Sequence, residues 1–114
     1  MGVNFEVANN HVADVKNASR EAITRALEAI GQQCVSHAQQ ELQNTPMRID
    51  TGNLRNSISH TVQGDAAYVG TNVEYAIYVH EGTSRMAPNR FLKNAVERNK
   101  AEYKAIAEAE LKKG

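Results

Sequence analysis

Apolar and polar positions follow two rhythms along the chain, and each change of rhythm marks an element. Val3, Phe5 and Val7 stand between polar neighbours at a period of two, which predicts a short strand closed by a turn at Asn9-Asn10. From about Asp14 the spacing becomes three and four. Val15, Ala18, Ala22, Ala26, Ile30, Cys34, Ala38 and Leu42 form one stripe, which Ile23 and Leu27 widen. The stripe predicts a helix over about 14–42, capped by Asp14 or Asn10. Asn44-Thr45-Pro46 stops it, because proline lacks the backbone donor and clashes with the preceding turn. Only Gly31 weakens the run of helix formers.

At 1.5 Å per residue such a helix is about 43 Å long. A compact chain of 114 residues has a radius of gyration near 13 Å, hence a diameter of about 34 Å. The helix therefore either breaks near Gly31 or overhangs its own globule and packs on another chain. The stripe passes Gly31 without a change of phase, which favours the overhang.

Residues 47–57 read as a connector with a short helical turn through Leu54, capped by Asp50 or Thr51. Ile58, His60 and Val62 then alternate with Ser59 and Thr61, Gly64-Asp65 supplies a turn, and 67–71 supplies a second strand. The pattern predicts a hairpin over about 57–71. Residues 73–79 are apolar and aromatic and end at Gly82; periodicity alone leaves them as a short helix or a buried strand. Residues 82–90 read as a loop, with Pro88 suited to a helix start. Phe91, Leu92, Ala95, Val96, Asn99, Tyr103, Ile106 and Ala107 trace one helical face over about 90–112, and Lys112 and Lys113 complement its C-terminal dipole. The expected fold is a single α+β domain spanning 1–114, with a long N-terminal and a C-terminal helix packed on a small antiparallel sheet or hairpin.

Composition narrows the function. Hydrophobic residues are 41% and charged residues 23%, which indicates a folded chain, but aromatics are only 5% and Trp is absent, so the core rests on small aliphatics. Thirteen basic residues balance thirteen acidic ones. That neutrality argues against a protein that coats nucleic acid or an anionic membrane. The balance conceals a gradient: residues 1–50 hold four basic and six acidic side chains, and 91–114 hold six and four. No apolar run approaches the roughly 20 residues of a membrane span, and no secretory signal is visible. Cys34 stands alone, so no internal disulfide forms. A soluble product folded in the cytoplasm is expected.

Candidate chemistry is sparse. Cys34 and His37 lie three apart on one helix but have no second pair to complete a zinc site, so no metal or other cofactor is expected. His80-Glu81, His60 and the carboxylates Asp50 and Glu81 are the groups suited to acid–base work, yet no nucleophile elbow or phosphate cradle accompanies them. A non-enzyme is expected. Arg48, Arg55, Arg85 and Arg90, with Tyr75 and Tyr78 nearby in sequence, are the residues that a passing contact with DNA would use.

Four segments read together are more specific. They are Ile49-Asp50-Thr51-Gly52-Asn53-Leu54-Arg55-Asn56-Ser57-Ile58, Tyr68-Val69-Gly70-Thr71, Val73-Glu74-Tyr75-Ala76-Ile77-Tyr78-Val79-His80-Glu81-Gly82-Thr83 and Pro88-Asn89-Arg90-Phe91-Leu92. In this order they resemble the small neck or tail-completion proteins of long-tailed bacteriophages, the lambdoid gene-product-ten-like family, also labelled minor capsid or tail component. The resemblance covers about residues 47–95. It departs from the family pattern at His80-Glu81, where many members have Glu-Phe, and at Asn89, which separates Pro88 from Arg90.

The resemblance implies a structural virion protein at the head–tail junction, made in the bacterial host cytoplasm. It would form a ring of its own copies and join the tail to the capsid. Its implied partners are itself, a head-closure or connector protein, and a tail-tube or terminator protein, with DNA as a passing contact and no membrane. A tail terminator, a DNA-contacting connector module and a toxin-like or regulatory enzyme are the alternatives. Among the motif residues, Gly52, Gly70 and Gly82 read as positive-φ or close-packing positions and Asp50 as a cap. Tyr75, Tyr78 and Phe91 are expected to supply most of the large apolar area. Arg55 and Arg90 are expected to pair with Asp50, Glu74 or Glu81. Together with Thr51, Leu54, Ser57, Thr71, Thr83, Pro88 and Leu92 these residues read equally as fold determinants and as a functional site.

Overall fold

The computed structural model describes residues 3–9, 19–43, 51–84 and 88–112. Along the chain run β1 (Val3–Asn9), α1 (Arg20–Gln43), α2 (Thr51–Ser57), β2 (Ser59–Gln63), β3 (Ala66–Thr71), α3 (Ala76–Glu81), α4 (Phe91–Glu97) and α5 (Lys100–Lys112). This is an α+β fold, with helices over a three-stranded antiparallel sheet of order β1-β3-β2. Among the described residues no helix is long and apolar enough to cross a membrane.

Helix α1 begins at Arg20 and not near residue 14, because Ser19 caps it: the Ala22 N–H donates to Ser19 Oγ at 3.1 Å. Asp14, Asn10, Val15 and Ala18 lie outside the described residues. The helix then runs unbroken through Gly31 for 24 residues, about 36 Å. Ala22, Ala26, Leu27, Ile30, Cys34, Ala38 and Leu42 are all buried, so neither described end overhangs. The domain lengthens instead, to 50 × 24 × 20 Å with a radius of gyration of 15.0 Å.

Gly31 is a point of close approach and not merely a weak position. A Cβ there would sit 2.8 Å from Cδ2 and 3.0 Å from Cβ of His60 on β2. The same imidazole meets Glu28 one turn earlier, Nε2 to Oε2 at 2.9 Å. The hairpin thus lies directly on the helix backbone. Its turn uses Gly64 at φ +59 while Asp65 stays at negative φ, and Asp65 accepts from Arg20 at 2.6 Å near the start of α1.

Strand β1 pairs with β3 of its own chain, Phe5 opposite Val69 and Ala8 opposite Ala67. A register shift between Glu6 and Ala8 leaves Val7 as the extra residue, so Ala8 joins Phe5 on the side of Val69 and Ala67. The simple alternation of Val3, Phe5 and Val7 is therefore interrupted. Ser59, Thr61 and Gln63 lie exposed on the other side of the sheet.

The expected continuous helix over 90–112 is two helices. The Arg98 N–H still bonds Asn94 O, but Asn99 Nδ2 turns back to Ala95 O at 3.0 Å and the Tyr103 N–H takes Asn99 O. Tyr103 Oη donates to the same Ala95 carbonyl at 2.6 Å. Those side chains satisfy the groups that the break exposes. Pro88 lies three positions before Phe91, outside any helix or strand and not in the first helical turn. Helix α5 returns antiparallel to α1, tied by Arg25–Glu110 at 3.1 Å and His37–Glu102 at 2.6 Å, with Glu41–Arg98 at 3.1 Å at the break before it.

The Gly31–His60 approach makes a prediction. Alanine gains about 1 kcal/mol of helix propensity over glycine, but overpacking costs about 1–3 kcal/mol. Gly31→Ala should lower the midpoint of urea unfolding in the wild-type protein, and lower it less in a His60→Ala background, where the ring contacts at 2.8 and 2.9 Å are gone and only the Cβ contact at 3.0 Å remains. A stabilised Gly31→Ala single variant would contradict the close contact.

Candidate functional site

Hydrogen bonds join the motif segments in sequence order. Leu54 anchors α2 in the core. Ser57 Oγ donates to Leu54 O at 2.6 Å and meets Thr71 Oγ1 at 2.5 Å. With the Ser57 proton committed to the carbonyl, the Thr71 hydroxyl donates to Ser57 and its oxygen accepts the Val73 N–H at 3.2 Å. Thr71, buried at the end of β3, thereby ties α2 to the start of the next segment. Arg55 complements the last turn of α2 and offers its carbonyl to Gln39 Nε2 at 3.2 Å. Its guanidinium forms no ion pair among the described residues.

Residues 76–81 resolve as a helix. Gly82 closes α3 at φ 80, its N–H donating to Tyr78 O at 2.8 Å. Gly52 and Gly70 do not take positive φ; Gly70 sits buried in the central strand. The two sides of α3 differ sharply. Ala76, Val79 and His80 are buried, while Glu74, just before the helix, Ile77, Tyr78 and Glu81 are exposed. Tyr78, 59% exposed, therefore does not supply core area, and Tyr75 is only half-buried. Phe91 does, together with Tyr103.

His80 is the hub of the second cluster. Its ring stacks on Phe5 at 5.0 Å and meets Phe91 edge-on at 5.5 Å. Nε2 accepts the Lys93 N–H at 3.3 Å, so the ring proton sits on Nδ1 and is donated to Glu81 at 2.5 Å. Lys93 is the third residue of α4, and the N-cap residue Arg90 gives no side-chain cap. His80 therefore does from another helix what an N-cap side chain does locally. This bond to His80 holds the Glu81 carboxyl below its ordinary range against partial burial, and the charges of Arg90 and Lys93 assist. Arg90 Nε lies 3.9 Å from Glu81, partly meeting the expected pairing. The Asn89 N–H bonds Val79 O at 2.9 Å, and Asn89 Nδ2 donates to Glu41 O at 3.2 Å, which locks the loop exit against α3 and α1.

The other candidates separate. Cys34 is buried, and desolvation pushes its thiol up to about 11. His37 is taken by Glu102 and stands edge-on to Tyr103 at 6.0 Å. Among the described residues no group of three or more metal-ligating side chains occurs. Asp50, Arg48 and Arg85 lie outside the described residues, as does the side chain of Thr51. Gly31 and the capping role of His80 escaped sequence reasoning, since each depends on a neighbour from a distant segment.

A family model described as "Bacteriophage HK97-gp10, putative tail-component" matches residues 7–82. The matched span runs from within β1 to the glycine that closes α3 and stops before the Pro88–Leu92 motif. No curated protein and no solved structure matches the chain.

Two predictions follow from the side-chain chemistry. A carboxyl held below its ordinary value of 4.5 stabilises the fold above that value and loses the contribution as pH falls through the lower folded one. Wild type should therefore melt above Glu81→Gln at neutral pH, and the gap should shrink as pH falls below 4.5; a gap that widens there refutes the assignment. Cys34 should resist iodoacetamide in the folded protein at pH 8 and react once urea unfolds it, read by intact mass.

Proposed function

The chain belongs to the HK97-gp10-like family of bacteriophage tail components, and we propose that it is a neck or tail-completion subunit that assembles as a ring at the head–tail junction. The observation that carries this reading is the family match over two thirds of the chain, including β2, β3 and α3. A tail component belongs to the virion, and its work is mechanical: it holds neighbours in register. That supports a structural role over a catalytic one.

Physical features support the ring. Closed rings are built from heterologous contacts, in which one patch of a subunit meets a different patch of the next. Zero net charge lets identical copies approach without collective repulsion. Exposed Ile77 and Tyr78 provide apolar area of the kind that a partner covers. The connector or head-closure protein on one side and the tube or terminator protein on the other are the proposed neighbours, with DNA passing through the ring.

Deleting the gene from its phage should yield filled heads and separate tails, and adding purified protein to that lysate should restore joined, infectious particles. Native mass spectrometry of the protein should show a closed oligomer. Normal virions from the deletion would overturn the reading. Tails of uncontrolled length would instead assign the chain as the terminator.

A further inference from the structure

Helix α3 and the residue pair before it carry an exposed stripe that the fold does not use. Glu74, Ile77, Tyr78 and Glu81 fall at i, i+3, i+4 and i+7, and all four are exposed. Ile77 is 43% and Tyr78 59% exposed, the two large hydrophobic side chains left out of the core among the described residues. The stripe is an apolar pair bracketed by two carboxylates. Glu81 is held ionised by His80, and the Asn89–Val79 and Lys93–His80 bonds fix the helix beneath it. It is a rigid knob.

Adjoining the knob through His80, whose ring stacks on Phe5 and accepts the Lys93 N–H, a groove of about 550 Å³ opens between β1 and the α4–α5 arm. Phe5, Val7, Val96 and Tyr103 contribute its apolar lining. Lys93, Lys100 and Lys104, all exposed and none in an ion pair among the described residues, stand along it and outnumber Glu6 and Glu97. The groove has the size of a site that takes an anchoring side-chain cluster. Its polarity is the inverse of the knob's: lysines where the knob has carboxylates, and an apolar lining to receive an apolar pair.

We propose that the groove of one copy receives the Glu74–Ile77–Tyr78–Glu81 stripe of the next. This inference rests on the ring reading and names its interface. Knob and groove are different surfaces of one chain, so the contact is heterologous, and repeated copies propagate head to tail and close into a ring when the rotation allows. The bulge at Val7 disrupts the regular edge of β1, which disfavours strand-to-strand addition there and leaves side-chain docking as the mode. Tyr78 and Ile77 supply the desolvated anchor, and the Lys–Glu contacts set orientation and rate of encounter.

Two blocked variants test the pairing without touching the core. Tyr78→Asp damages the knob and leaves the groove, whereas Lys100→Glu with Lys104→Glu damages the groove and leaves the knob. Each should keep the circular dichroism spectrum and melting temperature of wild type and lose the ring peak in native mass spectrometry. An equimolar mixture should then give a 1:1 dimer and nothing larger, because one intact knob meets one intact groove. Rings that persist in either variant, or a mixture that stays monomeric, overturn the knob-and-groove contact and leave the ring reading standing. A wild-type protein that stays monomeric at high concentration overturns both.

Discussion

Between Ala22 and Leu42 the central helix buries a strip broad enough to be covered from two sides, and the rest of the molecule is laid along it. With few aromatics available, the core cannot be thick. It is made long instead, and small residues on α1 let the backbones come close. Gly31 under the His60 ring is the extreme case. Ala22, Ala26 and Ala38 are buried along the same face, and Leu27, Ile30 and Leu42, each worth about 1.5–3 kcal/mol when buried, supply the mass. The α5 arm then lines the helix from the other side through Arg25–Glu110 and His37–Glu102, with Glu41–Arg98 at the break before it. Those exposed pairs align more than they stabilise.

A second layer of order comes from buried polar groups that have partners. Among the described residues no buried side-chain nitrogen or oxygen lacks a hydrogen bond. Thr71 with Ser57, and His80 with Lys93, join elements across 14 and 13 positions of the chain, and Glu81 satisfies the other nitrogen of His80. An unpaired imidazole in this core would cost about 1–3 kcal/mol, so the ring holds α3 and α4 in one geometry or loses its place. The consequence for function is stiffness: the outer side of α3 is presented on a helix whose inner side is fixed. The proposed role in assembly would use such a surface, and several titratable groups among the described residues are engaged in packing. Cys34 and His37 illustrate this, one held as a neutral thiol against Tyr103 and the other pinned to Glu102.

Much of the architecture was legible along the chain. The period-three-and-four stripe over about 14–42 located the body of α1 but not its start at Arg20, and the alternation around Gly64-Asp65 located the hairpin, because these signals depend on neighbours within a few residues. The order of the motif segments pointed to the phage tail family, which the match over 7–82 establishes. Less was legible where two local patterns share a phase. The break at Arg98-Asn99 is invisible in the hydrophobic stripe, since the stripe continues across it, and it exists because Asn99 and Tyr103 converge on one carbonyl. Helix and strand were inseparable over 73–79, and the tie is broken by burial of one face only.

The sequence by itself determined the element types with strong periodicity, the α+β class and the family, all properties of short-range pattern and residue order. Tertiary structure alone decided what Gly31 is for, which way Tyr78 points, and that His80 caps a helix it does not belong to. The roles of Gly31 and His80 depend on which distant segment arrives opposite, at distances of about 3 to 5 Å. Local periodicity carries no information about that arrival. It is set by the packing of the whole chain along α1, where close approach of backbones rewards a missing Cβ and a buried imidazole must find both of its partners.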